Sequence, residues 1–392
     1  MQDPIVIVAA RRTPMGAFQG SLSAMSAPEL SAVACAAAIA DSGLQASDIG
    51  EVLLGCVLPA GLGQAPARQA ALAAGIPTGT PCTTVNKVCG SGMKTTMMAH
   101  DLIVAGSGEI VLSGGMESMS NAPYLMPKAR AGYRMGHQQV LDHMFFDGLQ
   151  NPYDGNMMGH FAQVTADKYG FTREQQDAFA IESVTRAQNA TSNGAFAAEI
   201  APVTVKTRKG ENVVSEDEGP GSANIDKIPT LRPAFSKDGT VTAASSSSIS
   251  DGAASLILMR SSAAEKRGIQ PLARIAGHAG FAQEPEWFTT APVHAIRALQ
   301  EKLGWTANDV DLYEINEAFA CVTMAAIHDL GLDHARVNVN GGACALGHPI
   351  GASGARIIVT LLHALRNRGG ARGIASLCIG GGEAVAIGLE IV

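Results

Sequence analysis

No CxxC pair occurs anywhere in the chain. Its seven cysteines (35, 56, 82, 89, 321, 344 and 378) show no zinc-ligand spacing. Their odd number in a long chain argues against a disulfide framework and for a reduced, cytoplasmic protein. Long apolar runs are missing too: no stretch approaches the roughly 18 residues of a membrane span, so none is expected. The start, MQDPIVIVAARRTPMG, places its basic pair after the apolar run, the reverse of a secretory signal. Charge is scarce at 16%, with a net charge of −7 and no extended basic face. Nucleic acid is therefore not an expected partner.

Glycine and apolar residues are plentiful. Gly is 44 of 392 and hydrophobic residues are 46%, against an ordinary glycine share of about 7%. That combination favours large cores built from α/β layers with tight turns. The length suggests two or three domains of roughly 150 residues.

Pro4 to Ala10 (PIVIVAA) has the continuous apolar run of a buried strand. SAPELSAVACAAAIADSG, from Ser26 to Gly43, has helical spacing and closes on glycine. Glu51 to Val57 and Pro81 to Val85 read as strands, with a helix at Ala65 to Gly75 between them. A helix follows at Met93 to Gly106, then a strand at Glu109 to Gly115. From about Met116 to Ser245 the alternation lapses, apart from a helix at Thr172 to Asn193. This stretch reads as an insertion, with Lys206 to Lys209 a solvated basic cluster and Gly219 to Ser222 a turn. Regular texture resumes at DGAASLILMRS, beginning at Asp251.

The second half then repeats the first. Ala291 to Gly304 is a helix ahead of TANDVDLYEIN, which parallels ASDIGEVLLGC. VNVNGGACALG parallels TTVNKVCGSG, and GIASLCIGGGEA parallels EIVLSGGMES. Matched segments in one order indicate duplication. Loops at equivalent strand ends of two paired domains converge on one site.

Four chemical groups fall in those loops. Cys89 lies in VCGSG where a helix opens, and the helix dipole is expected to lower its pKa. Asn316 begins NEAFA. His348 sits in Asn338 to Arg356, NVNGGACALGHPIGASGAR, where Val337 to Val339 has strand character and a buried helix follows from Arg356. Cys378 lies in LCIGGG. A cysteine with a histidine suffices for acyl transfer. A second cysteine beside three glycines suggests another proton-transfer group and an amide-lined oxyanion site. The bland alternatives are inert core cysteines and a histidine bonded to backbone.

The blocks NKVCGSGMK, GGMESMS, NEAFA, GGACALGHPIGASGARI and CIGGG resemble the signatures of the thiolases, from Ile5 to the C-terminus. The resemblance implies a five-layered αβαβα fold of two duplicated domains. The N-terminal domain would span 1–118 and 246–270, an inserted loop domain 119–245, and the C-terminal domain 271–392. It implies acyl transfer with Claisen condensation, two acetyl-CoA giving acetoacetyl-CoA and CoA, or the reverse. It further implies homotetramers built as dimers of dimers, acyl-CoA substrates, and no metal or redox cofactor.

By that resemblance Cys89 is the acylated nucleophile and His348 its activator. Asn316 holds a water in the first oxyanion hole. Cys378 moves the α-proton, and the amides of Cys89 and Gly380 form the second oxyanion hole. Ser247 contacts pantetheine, while Phe235, Ala318, Phe319 and Met157 line the substrate tunnel. Three departures stand out: Ser245-Ser246-Ser247 where the family often has Asn-Ala-Ser, Asn156-Met157-Met158-Gly159 where acetoacetyl-specific members carry His-Met-Gly (matching at Met158-Gly159 or, with a gap, at Met157), and no arginine in Gly219 to Asn224. The alternatives are a ketoacyl-CoA thiolase of broader chain length, a decarboxylating ketoacyl synthase, and a non-catalytic acyl-CoA-binding protein on the same scaffold.

Overall fold

The computed structural model describes residues 3–208 and 210–392. Met1, Gln2 and Lys209 lie outside the described residues; of the basic cluster, Lys206 and Arg208 are exposed.

The first half contributes strands β1 (Ile5–Arg12), β2 (Glu51–Gly55), β3 (Cys82–Val85), β4 (Ile110–Ser118) and β5 (Ser250–Arg260). The second contributes β6 (Ala273–Ala282), β7 (Leu312–Ile315), β8 (Arg372–Ile379) and β9 (Glu383–Ile391). Hydrogen bonds order them β3-β2-β4-β5-β1-β6-β9-β8-β7. The halves join where β1 and β6 pair antiparallel, Val6 opposite Arg274 and Ile7 opposite Ala273. Outward from that seam each half repeats one order: first strand, last strand, then the inner strands.

Side-chain alternation along the strands builds the layers. In β1, Ile5 and Ile7 face one core while Val6 and Val8 face another. In β5, Leu256 and Leu258 join the former and Ile257 and Met259 the latter. The shared core also takes Leu377 and Ile387 from the second half-sheet. Between the two half-sheets lie α3 (Ser91–Ala105) and α8 (Ser353–Arg368), through Met93, Met97, Ile357 and Leu361. Outside the first half-sheet lie α1 (Ala27–Ser42) and α2 (Pro66–Ala73). Outside the second lie α6 (Ala291–Leu303) and α7 (Ala320–Leu330). The result is five layers, αβαβα. The buried length of α8 explains why it reads as apolar on every side.

Local signals account for many element ends. Ser26 caps α1 in a capping box with Glu29, and Gly43 closes it at φ 73°. Thr172 and Gln175 do the same for α5 (Arg173–Ser192). The insertion also holds α4 (Met158–Tyr169). It is bolted to β1 by Arg12, wholly buried, whose guanidinium meets Glu199 at 2.6 Å and Asp217 at 2.7 Å. Replacing Arg12 would leave both buried carboxylates without a counter-charge, which costs about 3–5 kcal/mol. No helix among the described residues is long and apolar enough to cross a membrane.

Several elements differ from the sequence reading. Val337 to Val339 is not a strand: Val337 makes one bridge to Tyr313, and Asn338 turns left-handed at φ 49°. The Asn338 side chain replaces the ladder, accepting from the Ile315 amide and donating to its carbonyl, each at 2.8 Å. Gly219 to Ser222 lies in a short helix, Glu218–Ser222, rather than a turn. The strand at Glu51 stops at Gly55, short of Val57. Strands β6 and β9 and helices α4 and α7 carry weak local signals; tertiary pairing and packing decide them.

Candidate active site

Cys89 sits in the turn between β3 and α3. Val88 takes a left-handed φ of 46° there, an uncommon conformation for a β-branched residue. The turn is held locally. Asn86 Oδ1 accepts from the Val88 amide at 2.9 Å, and Ser91 Oγ accepts from Lys87 and donates to the Val88 carbonyl. Gly90 lets the turn press on β8: a Cβ there would lie 2.4 Å from Ile379.

The sulfur of Cys89 is faced by the amides of Gly380 and of Cys89 itself, which favour its thiolate. The expected lowering of its pKa is nevertheless overturned. Burial outweighs both amides and, with Glu117's charge nearby, pushes the thiol up to about 11. A base must therefore take the proton as the thiol reacts.

His348 offers a ring nitrogen, unpaired among the described residues, on the same cavity as Cys89. Its Nδ1 lies 2.5 Å from Ser353 Oγ, which itself donates to the Pro349 carbonyl at 3.0 Å. With that hydroxyl proton committed, Nδ1 carries the hydrogen and Nε2 keeps its lone pair. Nε2 is buried with no partner among the described residues, and His348 lines the same cavity as Cys89. Burial first, then the Arg356 guanidinium, push its pKa down to about 3, so the imidazole is neutral at neutral pH. Arg356 is itself buried and paired with Glu314 at 2.9 Å.

Two buried carboxylates seat the His348 loop, and both went unassigned in the sequence although each stands in a motif. Glu117, from GGMES, accepts the amides of Val57, Leu58 and Gly351 at 3.0, 3.2 and 3.0 Å. Glu317, from NEAFA, accepts from Ser183 at 2.7 Å, Asn338 at 2.8 Å and the Cys344 amide at 3.1 Å. Gly115 explains the close fit: a Cβ there would come 2.1 Å from the Gly351 carbonyl oxygen.

The cavity holds about 200 Å³. Of the residues expected to contact substrate, Ser247, Phe235, Ala318, Phe319 and Met157 all line it, as does Gly380. Ser247 Oγ donates to the Ala318 carbonyl at 3.0 Å, and Phe235 meets Phe319 edge-on at 5.9 Å. Cys378 and Asn316 are not among the lining residues; each is 1% exposed. Cys378 packs with Phe288, Ala318 and Phe319. Burial, and next the charge of Cys89, push its thiol up, which places the two sulfurs in one electrostatic neighbourhood. The side-chain amide of Asn316 has neither end paired among the described residues, a donor and acceptor fit to hold a water or a carbonyl.

Further lining residues were missed: Met119, Phe145, Leu149, Met158, Phe288 and Ile350. They come from the insertion and from two other segments, around Phe288 and Ile350, so no local spacing joins them. Met158 is the methionine beside Gly380, its sulfur 3.5 Å from where a Cβ on that glycine would sit.

The arrangement places a thiol, a neutral imidazole, a second thiol and converging amides around an apolar cavity. Comparison with known proteins agrees with that chemistry. Residues 5–262 match the model described as "Thiolase, N-terminal domain" and residues 269–391 the one described as "Thiolase, C-terminal domain". An acetyl-CoA acetyltransferase of Pseudomonas aeruginosa is 49% identical over 391 residues, covering 99% of each chain. One from Schizosaccharomyces pombe is 47% identical over 390 residues, again covering 99% of each. The crystal structure of the Acat5 thiolase from Ascaris suum, in complex with coenzyme A, superposes with a TM-score of 0.94 at 43% identity. That match covers 99% of this chain and all of the other.

Proposed function

This chain belongs to the thiolase family, and from that premise we propose that it is an acetyl-CoA C-acetyltransferase. It joins two acetyl-CoA into acetoacetyl-CoA and CoA, or runs the reverse thiolysis. The observation that carries this reading is the meeting of Cys89 and His348, Nε2 unpaired, on one apolar cavity.

In the first half-reaction the Cys89 sulfur attacks the thioester carbon as His348 Nε2 takes its proton. The imidazolium then donates to the developing oxyanion beside a water held by Asn316. The departing CoA sulfur takes a proton from Cys378, whose raised pKa keeps it a thiol until that moment. Cys378 is now a thiolate and removes the methyl proton of the second acetyl-CoA. The enolate attacks the acetyl-cysteine carbon, and charge on the thioester oxygen of that intermediate falls to the amides of Cys89 and Gly380. Cys89 leaves and regains the proton from His348, which returns both groups to their starting forms. Two thiols, an imidazole, backbone amides and the water held by Asn316 supply these protons and charge contacts, a scheme without metal or redox cofactor.

The test is brief exposure to radioactive acetyl-CoA followed by peptide mapping. Label on Cys89 is expected; label confined to Cys378 or Cys344 would sink the reading. A non-catalytic binder would take no covalent acetyl group at all. The ratio of thiolysis rates on acetoacetyl-CoA and a six-carbon 3-ketoacyl-CoA separates the acetyl-specific reading from the broader one, which the acetyltransferase names of the relatives do not favour.

The same reading makes the protein a cytoplasmic homotetramer, a dimer of dimers, with domains at 1–118 with 246–270, 119–245 and 271–392. Exposed Tyr124, Met126 and Met135 in the insertion (68, 54 and 92%) support a subunit contact there. Light scattering at assay concentration tests it; a fully active monomer would refute it.

A further inference from the structure

Away from the active site, His100 and Asp101 on α3 meet His278 on β6 of the other half. Two imidazole nitrogens converge on one oxygen. His100 Nδ1 is 3.0 Å and His278 Nε2 2.9 Å from Asp101 Oδ1. The three donor atoms lie within 4.8 Å of one another, and the rings meet edge-on with centroids 5.2 Å apart. We propose that these three side chains bind a borderline divalent transition ion, with zinc as the reference, and that the ion clamps the two halves together.

The chemistry of the donor set supports this. Two imidazoles and a carboxylate suit zinc, cobalt or nickel far better than calcium or magnesium, which prefer oxygen donors alone. Each imidazole would bind through the ring nitrogen that faces Asp101, its lone pair freed by placing the proton on the other nitrogen. Asp101 is 58% exposed in its side chain while the histidines are 20 and 14%. An ion would thus reach the site from water and keep at least one water ligand, which makes it an open three-ligand site.

The fold holds the ligands from both sides. His278 is fixed by the β6–β9 ladder opposite Ile387, and its carbonyl accepts from Lys302 at 3.1 Å. His100 and Asp101 ride on the helix whose start follows Cys89. Because the ligands come from both halves, the ion stabilises their seam by binding the folded state alone.

Isothermal titration of the chelator-stripped enzyme with zinc chloride tests this. One equivalent per chain is expected. His278→Gln and Asp101→Asn should each weaken it by about a hundredfold or more, with thiolysis of acetoacetyl-CoA unchanged. Cys89→Ser, which removes a competing thiol ligand, should leave the equivalent in place. Zinc should raise the melting temperature of the starting enzyme and of Cys89→Ser but not of His278→Gln. Absence of binding overturns the proposal, as does an undiminished equivalent in His278→Gln. So does loss of the equivalent in Cys89→Ser, which would place the ion on the active-site thiols.

Discussion

The two matched loops that bring the reactive groups together are held in opposite ways. In the first half β3 runs into α3 through residues 86–90, and in the second Val337 reaches α8 through residues 338–352. The short loop is self-sufficient: Asn86 and Ser91 tie Val88 and Lys87 within the turn itself. The long loop has lost its strand, and carboxylates from elsewhere, Glu117 and Glu317, seat it. Duplication supplies the frame, while the length of the loop sets how it must be held. A tight turn presents Cys89 through local bonds. A deep loop that carries His348 needs buried acceptors from other segments of the chain, at the cost of desolvating them. Glu117 shows that cost, for burial pushes its pKa up to about 7 despite three amides.

The comparison breaks most severely at the short loop. Cys89→Ser should lower thiolysis by about 10,000-fold or more, the scale of losing a nucleophile, in a protein that still folds. Steady-state thiolysis measures it, and a loss under tenfold would move the nucleophile elsewhere.

Cys378→Ala should separate the half-reactions. Cys89 still takes radioactive acetyl, because the imidazolium of His348 can serve the departing CoA sulfur. Condensation should fall by roughly 1,000-fold, and exchange of acetyl-CoA methyl protons in heavy water should vanish with it. Condensation near the starting rate would leave Cys378 a packing residue.

At the long loop, His348→Ala should slow acylation by roughly a hundredfold or more. An intact acylation rate would reduce this histidine to a structural part.

Glu117→Gln tests whether the loop is truly pinned from outside. Gln keeps the shape but offers one acceptor oxygen where the carboxylate uses both. Misplacement of His348 should cost roughly ten- to a hundredfold in kcat with little change in KM. Removing a negative charge near Cys89 should also move the pH profile of iodoacetamide inactivation to lower pH. An unmoved profile and unchanged kcat would show the seat to be dispensable.

The smallest effect is on stability. His348 has a folded pKa of about 3, below its ordinary 6.5. Its folded form refuses a proton that the unfolded chain accepts, so stability is complete above pH 6.5 and declines as pH falls toward 3. At pH 5 that amounts to about 2 kcal/mol. Urea unfolding of the starting enzyme and of His348→Asn at pH 7 and pH 5 should show a flatter pH dependence in the variant; equal slopes would refute it.

Legibility in the sequence followed the range of the forces involved. Ser26 with Gly43 and Thr172 with Asn193 mark helix ends that stand as read, held by bonds a few residues long such as that between Thr172 and Gln175. Strand β6 was hidden because its alternation, in LARIAGHAGFA, is diluted by glycine and histidine on a half-exposed face. Val337 to Val339 looked like a strand by composition, but the Asn338 side chain took the backbone partners of Ile315 and ended the ladder. Met157 and Met158 are adjacent at the head of α4, one its cap and the other its first residue, so the motif fits either; both line the cavity, and packing near Gly380 singles out Met158.

By itself the sequence determined the layered frame, the duplication and the chemical groups of the site, since periodicity, caps and motif blocks are short-range and survive without coordinates. The tertiary structure alone decided the protonation of Cys89 and His348, the seating of the histidine loop by Glu117 and Glu317, and the membership of the cavity. Each of these depends on desolvation and on hydrogen bonds between residues far apart in the chain. Burial raised a thiol that its helix was expected to acidify, because removing water from around a charge outweighs two backbone amides.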